Sequence, residues 1–399
     1  MLLAAACARP EVGPGAAPLT AAPEIRVGLV PAAPSVTVGG GGALMLRDAD
    51  GGLIAIPAGV PAVVSAGRDG LRVRFSTEDL VAAVTLVVEP ADSGAPVRLG
   101  GRDYRGTGIL SSLPAGVMVV NAVGLEEYLR GVVGAEMGRR TEQDLAALRA
   151  QAIVSRTVAM RRAGQWRLRG YDLLATVADQ AYAGIGFETP VSDQAVQETA
   201  GQVLTFDGRL IDAFFHSTCG GRTADGSEVY PGADRPYLRS IRDQDDGGRA
   251  WCAISPRFRW QERWTGEALA RTLRETLPAA GAPAELAESV RDIQVVDRTS
   301  TGRVAHLELV GEGTSYTVSG PVARVVLRTG DGSILRSATF NLQVSREGGR
   351  IVQLVAEGSG AGHGVGMCQW GALGRARAGF TSTDILSAYF PGTEITRTY

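Results

Sequence analysis

Between residues 25 and 97, apolar and polar side chains alternate in short runs broken by Gly, Pro and Asp. Ile25-Arg26-Val27-Gly28-Leu29-Val30 and Leu71-Arg72-Val73-Arg74-Phe75 are examples. Period-two alternation between turn residues predicts short strands with one face toward a core. The pattern continues from Leu99 to Val120, with a turn at Tyr104-Arg105-Gly106 and a strand over Val117-Met118-Val119-Val120-Asn121. The period then changes. Apolar residues at 125, 128, 129, 132 and 133 form a helical stripe, with Glu126, Glu127 and Arg130 off it. Gly134 and Gly138 predict a break that leaves Glu136 close to the helix end. A second helix is expected from Thr141, an N-cap residue followed three positions later by Asp144. Its stripe runs Leu145, Leu148, Ala152, Ala159, and at about 100° per residue Arg156 falls in the middle of it. A guanidinium on a buried face needs an anionic partner or a polar cleft, unless its head reaches back to water.

Farther along, Val203 to Ile211 reads as a hairpin around Asp207-Gly208. Residues 266–277, 283–290 and 379–390 read as helices, and alternation returns from Ile293 to Val344. The expected fold class is α+β, mixed and β-rich. With 399 residues there is room for two or three domains. The expected layout is a β-rich region over 25–100 and a larger region over 101–399 that holds a β-rich insertion at about 266–350.

Composition narrows the function. A net charge of −2 argues against a nucleic-acid binder, whose footprint is strongly basic. No apolar run reaches membrane-spanning length. Residues 1–7, Met1-Leu2-Leu3-Ala4-Ala5-Ala6-Cys7, resemble a truncated signal segment ending in a lipoprotein processing box, with Ala4 where leucine is usual. Residues 8–24 are rich in Pro, Ala and Gly and read as a flexible linker. The expectation is export to the cell envelope or periplasm, with Cys7 as a lipidation site and that lipid as the one link to a membrane. The other reading is a disordered tail with an incidental cysteine.

Six motifs in order carry a resemblance. Leu125-Glu126-Glu127-Tyr128-Leu129-Arg130-Gly131-Val132-Val133-Gly134-Ala135-Glu136-Met137 comes first, then Ala147-Leu148-Arg149-Ala150-Gln151-Ala152 with Ser155-Arg156-Thr157. Asp179-Gln180-Ala181-Tyr182-Ala183-Gly184, His216-Ser217-Thr218-Cys219-Gly220-Gly221 and Pro236-Tyr237-Leu238-Arg239-Ser240 follow. The last is Gly362-His363-Gly364-Val365-Gly366-Met367-Cys368-Gln369-Trp370-Gly371-Ala372. Together they resemble the signature of the SpoIID/LytB family over roughly residues 25 to 399. The resemblance implies a peptidoglycan lytic transglycosylase that cleaves between N-acetylmuramic acid and N-acetylglucosamine and leaves 1,6-anhydro ends. The two helices then carry the catalytic segment, beside a cleft between subdomains.

In that reading Glu136 is the catalytic acid and base. A carboxyl between apolar and glycine residues at a helix end is one that burial would keep protonated. A hydrolase would need a second carboxylate, but Glu126 and Glu127 point away from Glu136 by helical spacing. The family positions Arg156, Gln180, Tyr237 and Arg239 are expected to line the glycan cleft through hydrogen bonds and stacking. Tyr237 reads equally as a packed core aromatic. His216 and His363 sit in Gly-rich motifs and join the substrate-binding set, whereas His306 lies in a strand-like run without a special role. The LytB side of the family implies the alternative: a peptidoglycan-binding enhancer of an N-acetylmuramoyl-L-alanine amidase, with that amidase as partner and no chemistry of its own.

Cys219 and Cys368 stand where the family often has serine. With Cys7 lipidated, three thiols remain, an odd number for an oxidising compartment. One reading is a Cys219–Cys252 disulfide with Cys368 free and no cofactor. The other is a zinc site drawn from His216, Cys219, Cys252 and Cys368. The His and Cys ligands that some family members carry before the Gln-x-Tyr element are replaced here by Leu173-Leu174-Ala175-Thr176-Val177-Ala178.

Overall fold

The computed structural model describes residues 20–399. Cys7 and most of the linker lie outside them. The chain forms two compact units, one of residues up to Ala213 together with Glu394–Tyr399, the other of Phe214–Thr393. The α+β expectation holds, with eight α-helices and 24 strands among the described residues.

The first unit holds a seven-stranded sheet in the order Leu173–Leu174, Glu24–Ala33, Gly116–Gly124, Thr107–Leu113, Thr85–Pro90, Leu44–Arg47, Leu53–Ile56. All its pairings are antiparallel except that of Leu173–Leu174 with Glu24–Ala33. Because Glu24–Ala33 pairs with Gly116–Gly124, the sheet runs straight through the boundary expected near residue 100. The strand Gly116–Gly124 is buried on both faces, which is why its sequence is a nearly continuous apolar run. A six-stranded antiparallel sheet, built from strands between Ser35 and Tyr104, accompanies it.

Helix α1 (Leu125–Met137) buries Leu125, Tyr128, Leu129, Val132, Val133 and Met137. It does not break at Gly134; it runs to Met137 and ends at Gly138, which leaves Glu136 close to the helix end as expected. Gly134 is there for close approach, since a Cβ on it would lie 1.9 Å from the Phe187 carbonyl oxygen. The segment around residue 187 therefore lies directly on the helix. Helix α2 (Leu145–Arg162) follows a short 3-10 turn over Glu142–Asp144, and Thr141 caps that turn without a side-chain bond. From Ala150 to Met160 every residue of α2 is buried, so it is a central helix enclosed on all sides rather than an amphipathic one. Helix α3 (Pro190–Glu198) begins with a capping box between Thr189 and Ser192. The predicted hairpin forms, with Phe206 opposite Arg209 and Asp207 at φ 49°. Strand Glu394–Arg397 adds to the other edge of Gln202–Phe206.

The second unit has a core of Trp264, Leu269, Leu273, Leu307, Leu309, Phe340 and Leu354, among others. Two three-stranded antiparallel sheets enclose it: Arg259–Thr265, Arg350–Ser359, Phe340–Glu347, and Asp292–Arg298, Val304–Val310, Ser315–Ser319. Helices α4 (Gly266–Ala279), α5 (Ala284–Ser289) and α6 (Gly320–Val326) belong with these sheets. The rest of the unit is loop-rich. There Phe215–His216 and Met367–Cys368 make a short parallel pair, followed by α7 (Gln369–Arg377) and α8 (Ser382–Tyr389).

Candidate functional site

Glu136 lies in the last turn of α1 and is half-buried. Its Oε1 accepts a hydrogen bond from the Ala181 backbone N–H at 2.7 Å. That donor is fixed because its neighbours are pinned. The buried Asp179 carboxylate accepts from Arg162 at 3.0 Å, the Trp166 indole at 2.9 Å and the Leu174 N–H at 2.8 Å. The Gln180 amide donates to the Ser155 carbonyl at 3.2 Å. The Tyr182 hydroxyl donates to Asn121 Oδ1 at 2.8 Å, and its ring packs on those of Tyr104 and Tyr128 at 5.5 and 4.8 Å. Burial holds the Tyr128 hydroxyl protonated, and Tyr182, Asp179 and Glu136 add to the effect. The result is a carboxyl group at the carbonyl end of a helix, anchored on one oxygen by a rigid main-chain donor. Such a group can give or take a proton in a fixed direction.

Two residues expected to line a cleft are instead interior. Arg156 is fully buried. Its Nε and Nη2 each donate to Glu126 at 2.7 Å, and Nη1 donates to the Gln202 carbonyl at 3.1 Å. Glu126 also accepts from the Tyr399 hydroxyl and from Gly201 N–H. Burial alone would raise the Glu126 carboxyl. The Arg156 pair, with Tyr399 and Gly201, outweighs it and holds the carboxyl below its usual value. The anionic partner that the position of Arg156 demanded is therefore Glu126, and the pair ties α1 to α2. Gln180 is likewise fully buried, because its amide serves the Ser155 carbonyl and the Tyr128 hydroxyl.

In the second unit Tyr237 is buried at 6% exposure, while Arg239 is exposed and paired with Asp234 at 2.8 Å. His216 is also buried. Its Nδ1–H donates to the Val365 carbonyl at 3.1 Å. Its Nε2 is buried with no hydrogen-bond partner among the described residues. Burial, then the nearby His363 and Arg303, hold His216 well below the usual histidine value, so it is neutral. His363 is half-buried and carries its proton on the other nitrogen. Its Nε2–H donates to the Phe215 carbonyl at 2.8 Å, and Nδ1 accepts from Val365 N–H at 3.1 Å. The two rings lie 5.5 Å apart and fasten segment 214–216 to segment 363–367.

Cys219, Cys252 and Cys368 are free buried thiols. The Cys219 and Cys252 sulfurs are 3.4 Å apart, well beyond the roughly 2.0 Å of the expected disulfide. His216 does not join the thiols as a fourth ligand. Asp243 does: its carboxylate and the three sulfurs lie within 4.8 Å of one another. Sequence reading missed Asp243, which stands in the polar run Arg242-Asp243-Gln244-Asp245-Asp246 with nothing to mark it out. Asp179 opens a motif, but its role as an anchor does not show in the sequence.

Residues 114–206 match the family described as stage II sporulation protein, SpoIID. Residues 250–366 match a domain family of unknown function. An uncharacterized protein of Brachyspira hyodysenteriae is 27% identical over 74% of this chain and 73% of its own length. Stage II sporulation protein D of Bacillus subtilis is 29% identical over 69% of this chain and 75% of its own. The amidase enhancer of Bacillus subtilis is 28% identical over 67% of this chain, which spans 40% of that longer protein.

Proposed function

This chain belongs to the SpoIID/LytB family, and from that premise we propose that it is an exported, peptidoglycan-directed protein that cleaves glycan strands as a lytic transglycosylase. In this reading Glu136 protonates the oxygen that links N-acetylmuramic acid to N-acetylglucosamine. The resulting carboxylate takes the proton of the muramic C6 hydroxyl. The C6 oxygen then closes on C1, giving a 1,6-anhydro ring, with no water consumed and no second carboxylate needed.

The observation that carries the reading is the anchoring of Glu136 by the Ala181 N–H at 2.7 Å, on a segment whose neighbouring side chains are all tied down. Two other acids near α1 are held by arginines. Glu126 is held by Arg156, and Glu188 by Arg105 at 2.7 Å with Arg130 at 3.5 Å. Of the side chains expected to bind the glycan, Arg239 and the half-buried His363 retain accessible surface and stay in the proposal. Export and lipid attachment at Cys7 belong to the same reading.

The second reading, an enhancer of an N-acetylmuramoyl-L-alanine amidase, draws on the relative of that name and on the burial of Arg156, Gln180, Tyr237 and His216. Mass spectrometry of glycan strands incubated with the purified chain separates the two. Anhydro-muropeptides from the wild type, falling by about 10²–10⁴-fold in Glu136→Gln, are the expected result. No anhydro product, with faster digestion by an added amidase, overturns the enzyme in favour of the enhancer.

A further inference from the structure

The second unit buries three thiols and a carboxyl group with their sulfur and oxygen atoms facing one another. Cys219 is 4% exposed, and Cys252, Cys368 and Asp243 are 0% exposed. Such a set offers one ligand atom per residue to a soft cation, which would let the thiols ionise in the interior. We propose that Cys219, Cys252, Cys368 and Asp243 form a tetrahedral zinc site.

The spacing fits the metal. Zinc holds thiolates at about 2.3 Å, which puts tetrahedral ligand atoms roughly 3.8 Å apart. Here Cys219 Sγ lies 3.4 Å from Cys252 Sγ and 3.2 Å from Asp243 Oδ2, and no pair exceeds 4.8 Å. The donor set, three soft sulfurs and one carboxylate oxygen, suits zinc over calcium or magnesium.

The surroundings are arranged for thiolates. Cys368 Sγ accepts from the backbone N–H groups of Cys219 and Gly371, both at 3.2 Å, and Cys219 Sγ accepts from Gly221 N–H at 3.3 Å. Cys368 is also the N-cap of α7, where the helix dipole favours a negative sulfur. Asp243 is oriented from behind. The Tyr389 hydroxyl lies 2.9 Å from both its oxygens, and Arg375 Nη2 donates to Oδ1 at 3.2 Å. Zinc offsets two of the four negative charges and Arg375 a third. Gly371 is required at its place, since a Cβ there would lie 2.1 Å from the Tyr389 hydroxyl and 2.2 Å from Asp243 Oδ2.

Four buried protein ligands leave no open position, so the site is structural. It clips together the 216–221 loop, the 243–252 segment and the start of α7. Binding is balanced by release of the three thiol protons to solvent as the metal–sulfur bonds form. A disulfide is the poorer solution, because joining any two sulfurs strands the third thiol beside Asp243.

The test uses the full chain with Cys7→Ser, so that three thiols remain. Plasma mass spectrometry of protein purified without chelator is expected to find about one zinc per chain. Thiol titration is expected to find three groups that react only after denaturation with chelator. Cobalt titration of the reduced metal-free protein reads the geometry without a ligand substitution. Thiolate-to-cobalt charge transfer with tetrahedral ligand-field bands supports the site, and a spectrum without them overturns it. Asp243→Asn is expected to weaken zinc more than about tenfold against a chromophoric chelator; unchanged affinity overturns the four-ligand assignment. Absence of metal both as isolated and after zinc reconstitution, or a mapped disulfide between any two of the three cysteines, overturns the proposal altogether.

Discussion

The two units solve the same problem differently. Each buries charge, but the first buries a cation with its anion while the second gathers acids around one another. Arg156 reaches α1 with Glu126 already opposite it, and Tyr399 and Gly201 complete the carboxylate. Nothing further is needed, and the pair acts as a crosslink between two helices. In the second unit Asp243 faces three sulfurs, its carboxylate meets Arg375, and the sulfurs have no ion pair among the described residues. A buried charge that meets its complement inside the chain belongs to the architecture. A buried set that does not meet it points to something brought from solution.

The contrast is strongest under chelation. Stripping zinc is expected to destabilise residues 214–393 by on the order of 5 kcal/mol or more, while the first unit keeps its transition. Thermal unfolding with and without chelator reads this, and two unmoved transitions would erase the distinction. Next in size is Arg156→Met, which leaves the half-buried Glu126 without its cation and empties the buried site of the guanidinium. The first unit should lose about 3–5 kcal/mol by denaturant unfolding; a loss under about 1 kcal/mol would mean that the pair is not the crosslink described.

A smaller, pH-dependent effect comes from His216. Its pKa is lowered by burial and then by His363 and Arg303, so the folded state resists protonation. The stability this gives is complete above the unfolded value of 6.5 and is lost as pH falls from there toward the folded value. The slope is about 1.4 kcal/mol per pH unit over that window. His216→Asn should flatten it, and an equally steep slope in the variant would assign the effect to another group. Smallest of all is the stability change in Glu136→Gln, about 0.5 kcal/mol, because the amide oxygen still accepts from Ala181. A large loss of stability there would make Glu136 another architectural acid like Glu126.

Much of the first unit was legible from periodicity. The strand over Val117–Asn121, helices α1 and α2 and the Asp207-Gly208 hairpin follow from apolar spacing and turn chemistry. The demand of Arg156 for an anion was legible too, though not that Glu126, thirty positions away, would meet it. What failed was direction. A motif tells which residues occur together, not which of them face solvent, so Arg156 and Gln180 were read as cleft residues when they hold the interior. Gly134 was read as a breaker because its reason, the passing Phe187 carbonyl, is distant in sequence. Asp243 was invisible because its sulfur neighbours come from three different segments, with Cys219 and Cys368 far from it in sequence. In sequence it resembles Asp245 and Asp246, neither of which is buried.

The pairing of Glu394–Arg397 with Gln202–Phe206, and the contact of Tyr399 with Glu126, impose an order of assembly. On a ribosome, residues 214–393 are delivered before the strand that completes the earlier sheet. The helix bearing Glu136 therefore gains its final brace late, after the intervening unit has had time to fold.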